Sequence, residues 1–291
     1  MARAAIGTRF PEIDTRGLQH LGSGWEFDAY LTSDGWVFRF PRRAYCADLF
    51  EPEERVHRVV AAALPPRIAI PRVALMAEPT DDFPYKFAGH RHIPGVDADA
   101  LDQNLLPVLA GEIGAAFGAL HSIPERSARD AGISEIDLGD LGQKEWFDRG
   151  LRNARELYGR DPIVDEALWW MTGLSLPLAR YAGPLHLIHH DMAPDHLIAD
   201  PANGRLVGII DWTDAILSDP ARDFAVLPPS FGWDFTAAVL ESYPVVVDSQ
   251  FHDRLQFLAR LLSVMWLTEA FEQERDVAKH VLWVRRAFNG A

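Results

Sequence analysis

Leu187–Trp212 reads LIHHDMAPDHLIADPANGRLVGIIDW, and its first ten residues hold three histidines and two aspartates. The apolar HLIA, the turn-rich DPANG and the β-branched RLVGII predict a β-hairpin over His196–Ile210. In an antiparallel pair the residue entering the first strand lies across from the residue leaving the second, so His196 and Asp211 become neighbours. The preceding loop brings Asp191 to the same end. Phosphoryl transfer needs such a set: a carboxylate to take the proton of an attacking hydroxyl, and further ligands for magnesium on nucleotide phosphates. Asp191 suits the base. Asp211, a hard oxygen ligand, suits magnesium, whereas the His196 imidazole is the softer partner.

Outward from this stretch the chain changes style. From Leu18 to about Ile93, LQHL, FDAYL, WVFRF, RVALM and YKFAG predict short strands with turns such as Ser33-Asp34-Gly35 between them, and one helix falls near Glu51–Ala63. After Ile93-Pro94-Gly95 the pattern is helical: LLPVLAGEIGAAFGALHSI has helical spacing, and further helices are predicted at 145–158, 162–181, 234–243 and 251–288. Only 186–211 interrupts them with strands. The expected organisation is α+β, a small N-terminal antiparallel sheet with one helix over 1–92 and a larger, mainly helical lobe over 93–291.

HHDMAPDH from His189 resembles the H-x-D-x-x-x-x-N loop of the aminoglycoside phosphotransferase family, some of whose aminoglycoside and macrolide kinases carry His in the Asn place. GIIDWTDAILSDPARDFA is similar to the magnesium-binding segment of that family. LGSGWEFDAYL with WVFRFPRR, FEPEERV, FAGHRHIPG and ALHSIP extend the likeness over nearly the whole chain. The resemblance implies a bilobal, protein-kinase-like fold and an antibiotic kinase that passes the γ-phosphate of ATP or GTP to a substrate hydroxyl. It implies Asp191 as base and His196 and Asp211 as Mg2+ ligands. It further implies Ser23 near the phosphates, Arg39 in the place of the strand lysine, Glu53 as its partner, and Arg91 and Ile93 as the hinge that holds the base. Glu54 is a rival partner for Arg39. Arginine stays charged and can grip phosphate in a fork, so the role survives while the geometry changes.

Composition narrows the partners. Lys+Arg 28 against Asp+Glu 42 gives a net charge of −14, which disfavours nucleic acid and favours a cationic ligand. One cysteine, no stretch approaching a membrane span and no signal-peptide run point to a cytoplasmic chain. No obligate protein partner is implied. An aminoglycoside is the expected acceptor, with Asp234, Trp266, Glu269 and Glu272 as its candidate lining. The apolar LPPSFGWDF stretch instead suits a substrate with a greasy face, as a macrolide has, and IDWTDA looks more like the macrolide kinases' segment.

Blander roles compete for the same residues. His189 is expected to orient the loop, His190 to face solvent or be structural, Asp219 to cap a helix, and Asp223 to be a buried structural acid. A metal-dependent hydrolase built on His189, His190, Asp195 and His196 is disfavoured, because adjacent histidines point apart. Arg39 and His196 leave room for a nucleotide-binding pseudoenzyme, against which Asp191 and Asp211 stand.

Overall fold

The computed structural model describes residues 1–135, 181–272 and 277–289, and single positions between 148 and 169. It opens with α1 (Ala2–Arg9), which the sequence did not announce. Then come β1 (Gln19–Ser23), β2 (Phe27–Leu31), β3 (Trp36–Pro41), α2 (Phe50–Ala61), β4 (Leu75–Ala77) and β5 (Phe87–Arg91). The five strands form one antiparallel sheet in the order β1-β2-β3-β5-β4. Alternation along the strands explains its two faces. Phe38, Phe40 and Phe87 pack with Ala2, Ala5 and Ile6 of α1 on one face, while Phe27 and Ala88 pack with Phe50 of α2 on the other.

Beyond the sheet lie β6 (Val96–Asp97), α3 (Leu106–His121), α4 (Glu125–Asp130), β7 (His186–Ile188), β8 (Leu197–Ala199), β9 (Leu206–Ile209) and β10 (Ile216–Ser218). The helices α5 (Ala221–Phe224), α6 (Leu227–Phe231), α7 (Trp233–Glu241), α8 (Phe251–Glu272) and α9 (Val277–Phe288) follow. The N-terminal region is thus an antiparallel sheet with helices on its faces and the C-terminal part is mainly helical. Among the described residues, no helix is long and apolar enough to cross a membrane.

The predicted hairpin is present, with Leu197 opposite Ile209 and Ile198 opposite Gly208. His196 closes the short turn ahead of it, and its carbonyl accepts from Ile210 N at 3.0 Å. Strands are not confined to 186–211, however: β6 pairs with β8, and β10 pairs with β7. These strands have two or three residues, too few for alternation to register. The single helix expected over 251–288 is two, α8 and α9, which pack through Trp266 and Trp283 at 5.3 Å; positions 273–276 lie outside the described residues. The helices expected at 145–158 and 162–181 fall largely outside them too.

Helix α3 is the spine of the C-terminal part, burying Leu109, Ile113, Phe117 and Leu120. Its glycines let α7 and the following turn come close. A Cβ on Gly114 would strike the Val239 carbonyl and come 2.8 Å from Ser242 Cβ, and one on Gly118 would strike Pro244. Gly114→Ala gains up to ~1 kcal/mol of helix propensity, but overpacking against backbone costs about 1–3 kcal/mol. A net loss is expected, read as a lower urea midpoint at unchanged m-value; a raised midpoint would mean that the two helices part without penalty.

Candidate active site

The site lies where the β8–β9 hairpin meets α2 and the strand β3. Arg39 Nη1 is 2.7 Å from both oxygens of Glu53, and Glu54 is not its partner. The other arm of the fork, Nη2, reaches to 3.7 Å from Asp211 Oδ1. One guanidinium therefore spans two carboxylates, which the single nitrogen of a lysine could not do in the same way. Phe27 lies under the guanidinium at 4.2 Å, adding a cation–π contact. Glu53 is fully buried; burial pushes its carboxyl up and Arg39 pulls it back. Trp212 N approaches Glu53 Oε1 at 3.4 Å, so α2 is tied to the residue next to Asp211.

Asp211 has φ +60 and His190 has φ +74, a region that side-chain-bearing residues rarely enter. Holding each there costs on the order of 1–3 kcal/mol, so surrounding bonds must impose it. Around Asp211, His189 Nε2–H donates to Ile210 O at 2.9 Å, and Thr213 Oγ1 donates to Asp211 Oδ1 at 2.8 Å. Around His190, the buried Asp223 carboxylate accepts from His189 N at 3.0 Å and His190 N at 2.8 Å. Its Oδ2 also takes His121 Nε2 at 3.0 Å, and His121 Nδ1 lies 2.8 Å from the Tyr243 hydroxyl. Asp223 is thus the structural acid expected of it. The roles of His121 and Tyr243 were missed, although the ALHSIP motif contains one of them. Asp219 caps Ala221 N at 3.0 Å and pairs with Arg254 at 2.6 Å.

Three predicted residues converge as the hairpin argument required. His196 Nδ1 donates to Asp191 O at 2.7 Å and lies 3.6 Å from Asp191 Oδ2, while its Nε2 is 3.8 Å from Asp211 Oδ2. Burial pulls His196 down, but the Asp191, Asp195 and Asp211 carboxylates outweigh it and raise its pKa to about 9. Asp191 stays partly exposed; its withdrawal into the cleft, against the pull of His196, and the neighbouring acids Asp211, Asp214 and Asp195 push it up to about 6. Burial works against ionised Asp211, yet Arg39 and His196 hold it below the usual carboxylate range. His189 is fully buried, and that burial lowers it to about 4, so it is neutral and positions the loop.

A divalent cation fits this donor set in place of a proton. In the ligand-free site the raised pKa keeps His196 protonated; with Nδ1–H fixed on a carbonyl, loss of the Nε2 proton to a cation would leave a lone pair facing Asp211, the arrangement seen at metal-binding histidines. Magnesium takes few protein ligands and completes its shell with phosphate and water.

The remaining predicted residues are more dispersed. Ser23 is exposed at the end of β1, its Oγ 3.2 Å from His20 Nε2. Arg91 lies over the Trp36 ring at 3.9 Å, and its carbonyl is 3.0 Å from His90 Nδ1; Ile93 packs against Gly208. Asp234 is exposed on the first turn of α7, and Trp266 and Glu269 are half-buried on α8, with Trp266 against the core. The Glu272 side chain lies outside the described residues. Of the LPPSFGWDF stretch, Leu227–Ser230 are buried, while Phe231 and Trp233 stay half-exposed: Phe231 stacks on Phe235 at 4.5 Å, and the Trp233 indole donates to Ala287 O at 3.3 Å.

Comparison with known proteins bears on the family and the fold. The profile of the phosphotransferase enzyme family matches residues 17–258. The uncharacterized protein YcbJ of Bacillus subtilis (strain 168) is 33% identical over 43% of this chain and 39% of its own. Hygromycin-B 4-O-kinase of Escherichia coli is 25% identical over 72% of this chain and 60% of its own. The chain thus spans less than two thirds of either relative. The GDP complex of wild-type aminoglycoside 2'-phosphotransferase-IIIa shares the fold at TM-score 0.76 and 23% identity, over 100% of this chain and 98% of that one.

The raised pKa of His196 has a sign that stability measurements can read. Its folded value, about 9, exceeds its unfolded value of 6.5, so the stabilisation is complete below pH 6.5 and is lost as pH rises through 9. The ligand-free protein should show a Tm that falls across this window, and His196→Asn should flatten the slope. An equal slope in His196→Asn would assign the effect to another group.

Proposed function

The chain belongs to the phosphotransferase enzyme family, and from that premise we propose that it is an antibiotic kinase. It transfers the γ-phosphate of ATP or GTP to a hydroxyl of a cationic small molecule, an aminoglycoside before a macrolide. The observation that carries this reading is the convergence of Asp191, His196 and Asp211 beside the buried Arg39–Glu53 pair. Asp191, with a pKa of about 6, is ionised at neutral pH and still basic enough to accept a hydroxyl proton as the oxygen attacks. Asp211 and His196 Nε2 are the residues that would hold Mg2+, which when bound would neutralise charge on the phosphates. Arg39, Ser23 and the Arg91–Ile93 segment are assigned to the nucleotide.

The substrate preference rests on charge. The net charge of −14 favours a polyamine, and one curated relative, 25% identical over 72% of this chain, is a kinase of hygromycin B. The macrolide alternative draws on IDWTDA and on LPPSFGWDF, of which Leu227–Ser230 are buried in helix packing and Phe231 and Trp233 stay half-exposed. A hydrolase centred on His189 and His190 has little support, since His189 is buried against Ile210 O and His190 touches Arg222.

Turnover of ATP and of GTP against a panel of aminoglycosides and macrolides tests the assignment. Phosphorylation of at least one aminoglycoside is expected; nucleotide binding without turnover on any member would favour a pseudoenzyme. Asp191→Asn should keep the fold and nucleotide affinity while kcat falls by ~10²–10⁴-fold, the usual loss for a general base. Asp211→Ala should abolish the magnesium-dependent part of nucleotide binding. Metal titration giving the same magnesium affinity in Asp211→Ala as in the parent would remove Asp211 from the metal site.

A further inference from the structure

The turn between β1 and β2, Gly24-Trp25-Glu26, is held from outside by two consecutive arginines that follow β3. Arg42 Nη1 donates to Gly24 O at 2.6 Å, and Arg42 N donates to Glu26 O at 2.8 Å. Arg43 Nη1 donates to Trp25 O at 3.2 Å, with its guanidinium 5.4 Å from the centre of the Trp25 ring and Nη1 3.4 Å from the Tyr45 hydroxyl. Gly24 N closes the turn onto Phe27 O at 2.8 Å. Three successive carbonyls are therefore drawn toward Arg42 and Arg43.

A trans peptide sets its N–H opposite its carbonyl. With the Gly24 and Trp25 carbonyls fixed on the arginines, the Trp25 and Glu26 N–H groups are turned to the other side. Glu26, in the same turn, is half-buried, and the charges of Asp214, Asp211 and Arg39 act on its carboxylate, so the turn borders the cleft. Successive backbone N–H groups in a turn form an anion-binding concavity that suits a phosphate.

We propose that Arg42 and Arg43 are positioning residues for the nucleotide phosphates. They grip the carbonyls of the 24–26 turn so that the Trp25 and Glu26 amides are presented to a phosphate. Neither arginine touches the nucleotide in this arrangement; both act through the turn. The inference rests on the phosphotransferase reading and adds to it the device that orders the phosphate-facing loop.

The test separates phosphate recognition from general damage to the fold. Arg42→Met and Arg43→Met are compared with the parent for KM of ATP and GTP, KM of the acceptor and kcat, and for binding of ATP, GTP, adenosine and guanosine by calorimetry. Arg42→Met should raise KM for the triphosphate roughly tenfold, the loss of about one charge-assisted hydrogen bond. kcat at saturating nucleotide, the KM for the acceptor and nucleoside binding should not change, and Arg42→Lys should recover part of the affinity. Unchanged triphosphate KM in both Met variants overturns the proposal and leaves the phosphotransferase assignment standing. Equal weakening of nucleoside and triphosphate also overturns it, because that marks a loss of lobe structure. A parent protein that takes up neither ATP nor GTP overturns the assignment and the proposal together.

Discussion

A buried carboxylate whose oxygens accept from N–H groups organises this molecule. Asp223 is fully buried, and an ion out of water is tolerated only when its oxygens are filled. They are filled by the two backbone amides that precede Asp191 and by the His121 ring. Since these bonds compensate the loss of hydration, they also dictate where the loop runs. The φ of +74 at His190 follows from that demand: the chain turns left-handed there to give both amides to one carboxylate. Through His121 and Tyr243 the same carboxylate reaches α3 and the end of α7, so the helical core and the loop share one anchor.

A second ionic contact sets the other wall of the cleft. The Arg39–Glu53 pair joins the sheet to α2, and Glu53 continues to Trp212 N beside Asp211. Removing either partner would strand a charge out of water, which makes such pairs far costlier to break than to keep. Ala69 adds a neutral link, receiving from Ile209 N at 3.0 Å and donating to Val207 O at 2.8 Å, so the segment after α2 is stitched to the hairpin that carries the site. Sheet, helix and hairpin are fixed relative to one another by groups that also line the cleft.

Much of this was legible because long periodic stretches and one hairpin carried it. The apolar-turn-apolar pattern over 196–210 placed Asp191, His196 and Asp211 together with no reference to the rest of the chain. The register of α2 left Glu53 and Glu54 open, since consecutive helix positions differ by only 100°, and burial beneath Arg39 selects Glu53. What the sequence hid is of two kinds. Strands of two or three residues, such as β6 and β10, are too short to show alternation, and the first helix looks unremarkable until Ile6 meets Phe38 and Phe87. Bonds over long separations, such as His121 to Asp223, join residues with no shared pattern. LPPSFGWDF is ambiguous for a related reason: an apolar run announces burial, and only its neighbours decide whether protein or ligand covers it.

The arginine at position 39 also determines what chemistry outsiders can do here. A reactive acyl group carried on a nucleotide phosphate labels a lysine because the amine can shed its proton and attack. Guanidinium keeps its proton and has no free electron pair to offer, and this one is held between two carboxylates and an aromatic ring. Reagents that capture nucleotide-binding proteins by trapping such a lysine would pass over this residue even with the nucleotide in place. A covalent inhibitor for this cleft would need a different handle.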